Sequence, residues 1–273
     1  MIGSRVFKKI AYKLRSNTIN AANLSDSASR FACKSQFGDL YFWDTQKPYK
    51  SYDPEVISCN EQADTTGEPY DFRGIDVLPD EVIIDIGAHV GTVTVYLAKL
   101  FPHAKIFAFE PMPSNFECLK KNLTENNIHN VTPVNAAVTK DGRNLQFTYR
   151  LSLGQSQTPH MSSSEIHKNK DNTHETVNLD VNSVSLNEFF KAHNIHSVRL
   201  LKIDCEGAEY EVLYNYDHLK KTSHIRGELH SSAEENNALI NFLITNGDLE
   251  SYRFTRNKIG ENELSGFVYY ANQ

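Results

Sequence analysis

From Val82 onward the chain alternates short apolar runs with segments whose apolar residues recur every three to four positions, and no other feature constrains the fold as tightly. Buried strands alternating with amphipathic helices close into a mostly parallel sheet with helices on both faces, because each crossover helix must return the chain to the same end of the sheet. Strands are predicted at residues 82–86, 105–110, 131–137, 200–204 and 225–230, with a last strand at 265–271 reached from 252–255 by a turn around Gly260. After Gly91 the β-branched residues Thr92 to Val95 favour a strand locally, but Val90, Val93, Leu97 and Leu100 recur at near-helical spacing and predict a helix. The next helix is predicted to begin near Pro113, a residue suited to a first helical turn, and to bury Phe116, Leu119 and Leu123.

Residues 1–70 lack long periodic segments and read as an N-terminal extension covering the main domain, 71–273, with a strand pair predicted around "FGDLYFWD" at 37–44. Residues 151–178 are nearly devoid of large apolar side chains and read as a lid or mobile loop; their His160, His167 and His174 read as solvated rather than metal-bound. A net charge of −6 argues against general affinity for a nucleic-acid backbone. The four cysteines are scattered without a CxxC pair, so neither a disulfide scaffold nor a zinc site is expected and a reducing, cytoplasmic setting fits. No apolar run approaches the roughly 20 residues that span a bilayer. The basic, amphipathic start, residues 1–15, reads as a helix docking on the domain, with peripheral membrane contact or organelle targeting as the competing readings.

The stretch "VIIDIGAHVGTVT" delivers a carboxylate, Asp85, into a glycine turn opening a helix. Ligands of open α/β sheets bind at the carboxyl ends of the strands, where Gly87 and Gly91 would let the backbone approach closely. A dinucleotide site would need GxGxxG and a helix N-terminus free for pyrophosphate, whereas the spacing here is GxxxG and Asp85 adds negative charge. A ligand carrying a cationic amine reverses that objection, and S-adenosylmethionine has one beside its sulfonium. Glu110 ends the next strand 19 residues after Gly91, close to the interval at which an acidic side chain meets ribose hydroxyls in such folds. Each carboxylate read alone also fits a helix N-cap.

Together "IDIGAHVGTVTVYLA", "FAFEPMPSNFECLKKNL", "NAAV", "LLKIDCEGAEYEVL" and "GELH" resemble the FkbM family of S-adenosylmethionine-dependent methyltransferases over roughly residues 82–230. The resemblance implies a Rossmann-like class I methyltransferase fold, a mostly parallel seven-stranded sheet with an antiparallel C-terminal strand. It implies that Asp85, Gly87 and Gly91 line the methionine part of the cofactor, that Glu110 holds its ribose, and that the turn containing Ala136 sits near its adenine. This chain carries His89 where the family usually has Asn, and Cys205 where it usually has Val. His89 reads as facing the cofactor or capping the following helix, and Cys205 as a packed thiol rather than a nucleophile.

A second carboxylate cluster follows the strand at 200–204: Asp204, then Glu206 and Glu209, joined by Glu228 and His230, which strand alternation places on one face. Methyl transfer is an in-line substitution, so an acceptor hydroxyl must be aligned and must lose its proton. His230 or Glu206 is the expected base, Asp204 an organiser of cofactor and acceptor, and Glu209 and Glu228 expected acceptor contacts; Glu206 and Glu209 also fit a helix's first turn. Asp204, Glu206 and Glu228 could bridge a hard cation, but the expectation is a site without metal. The resemblance implies O-methylation of a hydroxyl on a sugar, glycolipid or natural product, hence a small-molecule, glycan or lipid-linked acceptor. The competing readings are a nicotinamide-dependent oxidoreductase of similar fold and an inactive cofactor-binding module.

Overall fold

The computed structural model describes residues 29–44, 70–72, 74–150, 176–247, 249–259 and 263–272. Its centre is a seven-stranded sheet of β3 (Val82–Ile86), β4 (Lys105–Phe109), β5 (Val131–Val134), β10 (Val198–Ile203), β11 (Thr222–Ser231), β12 (Leu249–Ile259) and β13 (Glu263–Asn272), in the order β12-β13-β11-β10-β3-β4-β5. The five strands from β11 to β5 pair in parallel, and β13 enters antiparallel between β11 and β12. This is a Rossmann-like α/β arrangement, mostly parallel with an antiparallel C-terminal strand, and β3 is the middle of the five parallel strands.

Strand alternation divides the core between the two faces. Ile83, Ile106 and Leu200 point into one cluster with Val95 and Leu97 of α1 (Thr92–Leu100) and Leu119 and Leu123 of α2 (Pro113–Glu125). Ile84, Ile86, Leu201 and Ile203 point into the other, with α3 (Leu186–His193), α4 (Glu209–Tyr214) and α5 (Ala233–Asn246). Both predicted helices form, Pro113 opening α2, and Phe116 is only partly buried beside Leu119 and Leu123.

The predicted strand 131–137 is broken. β5 stops at Val134, and Ala137–Val138 forms a separate parallel pair, β6, with β9 (Ser183–Val184). The strand pair expected at 37–44 is the second arm of a hairpin, β1 (Ser29–Ser35) with β2 (Gly38–Asp44), whose Cys33, Leu40 and Phe42 join the first core cluster. The polar segment is flanked by β7 (Leu145–Arg150) and β8 (Thr176–Val181), paired antiparallel, so 176–178 is strand rather than loop. Residues 151–175, with their three histidines, the basic start 1–15 and the turn around Gly260 lie outside the described residues. Among the described residues no helix is long and apolar enough to cross a membrane.

Candidate active site at the carboxyl ends of the parallel strands

Parallel register brings the ends of β3, β4, β10 and β11 to one edge, since Ile86 lies beside both Ile203 and Phe109, and Ile203 beside Gly227. Two glycines allow the approach. Gly87 has φ 76°, and a Cβ there would lie 1.7 Å from the backbone oxygen of Asp204. A Cβ on Gly227 would lie 2.5 Å from the backbone oxygen of Ile203.

On the β3–β4 side the turn is built around backbone amides. Gly87 and Ala88 donate to Phe109 O at 3.0 and 2.9 Å, and His89, in the left-handed region at φ 53°, donates its N–H to Glu110 Oε2 at 2.8 Å. The cap of α1 is Gly91 and not His89, and no side chain caps that helix, so its first-turn amides face the turn uncapped. Glu110 is buried, and burial raises its pKa despite the donors around it. Its Oε1 accepts from Met112 N–H at 2.9 Å and from Asn115 Nδ2 at 3.3 Å. Among the described residues Oε2 accepts from His89 N–H alone, which leaves that oxygen lone-pair capacity for a further hydroxyl. Ala136 is buried, and the neighbouring Asn135 Nδ2 donates to Glu110 O and Pro111 O at 2.9 and 3.1 Å, tying the turn expected near adenine to the end of β4.

Asp85 does not present a free carboxylate to this edge. Its side chain is 0% exposed, Oδ2 accepts from Thr94 Oγ1 at 2.6 Å, and Oδ1 lies 3.2 Å from Lys202 Nζ, an ion pair whose angle is too poor for a hydrogen bond. Lys202 is itself buried and donates to Gly87 O at 2.8 Å and Ile86 O at 3.3 Å.

On the β10–β11 side the second cluster assembles around one imidazole. His230 Nε2 lies 3.8 Å from Asp204 Oδ1, 3.8 Å from Glu206 Oε2 and 3.9 Å from Glu228 Oε1. Its Nδ1 lies 3.2 Å from Glu209 Oε1. Burial works against the charge, but the Glu209 hydrogen bond and the charges of Glu209, Asp204 and Glu206 outweigh it and push His230 up to about 10. At neutral pH it is an imidazolium among four carboxylates. Asp204 Oδ2 accepts from the hydroxyl of Tyr70, whose own pKa burial and Asp204 push far up, so the phenol keeps its proton.

Glu209 sits one layer back from the cleft. It is 0% exposed, with Oε1 accepting from Cys205 N–H at 2.7 Å and Oε2 from Gly207 N–H at 2.9 Å. It therefore braces its own turn and meets His230 Nδ1 from the buried side. Glu206, at φ 56°, is more open. Cys205 packs against the second core cluster, and burial pushes its thiol up, away from a reactive thiolate. Among the described residues Asp204, Glu228 and His230 are the one group spaced to hold a metal ion, with ligand atoms within 4.8 Å of one another.

Sequence reasoning missed Lys202 and Tyr70. A lysine inside the apolar run "LLKI" is a visible anomaly, since a buried lysine needs a charge partner. Tyr70 carries no local signal: it lies 134 residues from Asp204 in the chain.

The sequence profile described as "Methyltransferase FkbM domain" matches residues 85–255, more than half of the chain. "Methyltransferase 1" of Beauveria bassiana is 31% identical over 157 residues, covering 52% of this chain and 62% of that protein. "Methyltransferase sdnD" of Sordaria araneosa is 28% identical over 172 residues, 56% of this chain and 66% of that protein. In each case the match spans just under two thirds of the relative's length. Among solved structures, the precorrin-6y C5,15-methyltransferase of Geobacter metallireducens aligns with a TM-score of 0.41 at 14% identity, covering 73% of this chain and 83% of that one.

Proposed function

The chain belongs to the FkbM methyltransferase family, and on that premise we propose that it O-methylates a hydroxyl on a sugar, glycolipid or natural product. S-adenosylmethionine is the cofactor of the family and supplies an electrophilic methyl on a sulfonium. The residues present fit it: Glu110 Oε2 has lone-pair capacity for a ribose hydroxyl, and the uncapped first turn of α1 suits an amino-acid carboxylate. Gly87, Gly91 and the backbone at His89 shape that turn, and Ala136 closes the side expected to meet adenine.

The observation that carries the acceptor half is the ring of carboxylates around His230. An alcohol gaining a methyl becomes far more acidic as the new C–O bond forms, so a carboxylate is basic enough to take its proton. His230, already protonated, cannot be that base at neutral pH. Glu206, the more open carboxylate on a left-handed turn, takes the proton; His230 fixes the ring by charge; Asp204, held by Tyr70, orients the hydroxyl; and Glu228 lines the same face. Three carboxylates at the mouth also disfavour phosphorylated acceptors, nucleic acid included. The nicotinamide-dependent alternative finds no support in the family match, and the inactive-module alternative is decided by turnover.

The test is a mass-spectrometric screen of hydroxylated glycans, lipids and natural products for one added methyl, followed by kinetics of Glu206→Gln. A fall in kcat of about 10²–10⁴-fold with cofactor affinity kept is expected for loss of a general base. Near-normal turnover in Glu206→Gln, or methylation confined to nitrogen acceptors, contradicts the reading.

A further inference from the structure

Lys202 is a buried cation near the cofactor edge, and nothing in the chemistry above uses it. It lies one residue before the carboxyl end of β10, directly beside Asp85 of β3 in the parallel register, on the face covered by α1 and Tyr70. Its side chain is 2% exposed. Burial alone would lower its pKa, but Asp85 and Asp204 outweigh that and raise it, so the ammonium keeps its charge. Its ammonium donates to Gly87 O and Ile86 O and faces the Asp85 carboxylate as an ion pair. The tyrosine ring lies 5.3 Å from Nζ.

Two consequences follow from that geometry. The charge of Asp85 is balanced inside the protein, with Thr94 on its second oxygen, so a ligand amine gains little from it. Meanwhile the carbonyls of Ile86 and Gly87, the last of the strand and the first of the turn, are drawn inward onto Lys202. The amides in the same two peptide planes, Gly87 N–H and Ala88 N–H, are thereby both aimed at Phe109 O, on the last residue of β4 before Glu110. On the opposite side, Asp204 N–H donates to Ile86 O at 3.1 Å, so a single carbonyl links the cofactor turn to the turn carrying Asp204.

We infer that Lys202 is a positioning residue of the cofactor site: paired with Asp85, its ammonium sets the carbonyls of Ile86 and Gly87 and so fixes the start of the glycine turn against Phe109 O, at the end of β4 beside Glu110. The inference rests on the cofactor reading above, and the two fail differently. If the wild-type protein does not bind S-adenosylhomocysteine in calorimetry, the cofactor reading falls.

If it does bind, the decisive variant is Asp85→Asn/Lys202→Met, because removing both charges of a buried pair leaves no uncompensated ion and keeps the fold far better than either single change. The double variant is expected to melt close to the wild type yet bind S-adenosylhomocysteine at least about tenfold more weakly, since Gly87 O loses its lysine donor and Ile86 O keeps only Asp204 N–H. Wild-type affinity in the double variant overturns the inference. A measurement on the unaltered protein stands beside it should the variant not fold. In ¹⁵N-lysine-labelled protein, a slowly exchanging ammonium signal from this buried group should be present and should shift when S-adenosylhomocysteine is added. No shift on saturation overturns the inference equally.

Discussion

The raised pKa of His230 sets a pH signature for stability. Its pKa stands at about 10 in the folded protein against an ordinary value of 6.5, chiefly because Glu209 hydrogen-bonds it while Asp204 and Glu206 lie within ion-pair range. A group whose pKa is raised on folding contributes stability fully below its unfolded pKa and loses it as pH climbs through the folded value. The window here runs from about 6.5 to about 10, and the effect is on the order of a few kcal/mol. Thermal melts from pH 6 to 10 should therefore show wild type losing stability relative to His230→Gln across that window; parallel curves would mean that the imidazole is not held charged. At the same scale the sequence shows which residues gather but not how each is engaged. Glu228 and His230 meet as strand alternation requires, whereas Asp85 and Glu209, carboxylates of the same type in similar turns, are turned inward by partners that spacing does not reveal. For Asp85 the partner is on a different strand, and for Glu209 it is the turn's own amides.

The hairpin of β1 and β2 is held to α2 by asparagine side chains as well as by apolar packing. Asn122 accepts from Trp43 N–H at 2.6 Å and donates to Trp43 O at 3.0 Å, while Asn126 accepts from Tyr41 N–H at 2.9 Å and donates to Tyr41 O at 2.6 Å. Four helical residues rise about 6 Å and two strand residues about 6.8 Å, so the two amides meet alternate peptides of β2 like a neighbouring strand. Asn122 also donates to Val90 O at 2.7 Å, inside the glycine turn. Asn122→Ala should cost about 2–4 kcal/mol, because the buried Val90 O and the partly buried N–H and C=O of Trp43 lose their partner. That corresponds to a fall in Tm of roughly 5–15 °C in a chain of this size, read by calorimetry; a change under about 2 °C would show that the amide bridge contributes little. Helix and strand identities here were legible from periodicity, β-branched residues after Gly91 included. The break after Val134 was not, because "VTPVNAAV" reads as one apolar run and only the pairing of Ala137–Val138 with β9, some 45 residues on, ends it.

Across the described residues, the alternation of apolar strands and amphipathic helices determines a sheet in which β3 is the middle of five parallel strands, and that topology gathers the candidate residues at the carboxyl ends of β3, β4, β10 and β11. The order β10-β3-β4 separates two jobs: β3 and β4 carry the glycine turn and Glu110, while β10 and β11 carry the carboxylate ring. This division was visible in the sequence because each motif ends a strand. Tyr70 was not, since it reaches Asp204 only through the tertiary path of the chain before β3. The central claim is that a methyl donor lies between these halves, and a crystal structure with bound S-adenosylhomocysteine tests it most directly. The account expects the ribose hydroxyls on Glu110 and the sulfur facing Glu206 and Asp204; a ligand whose ribose lies away from Glu110, or whose sulfur faces away from the β10–β11 edge, would contradict it.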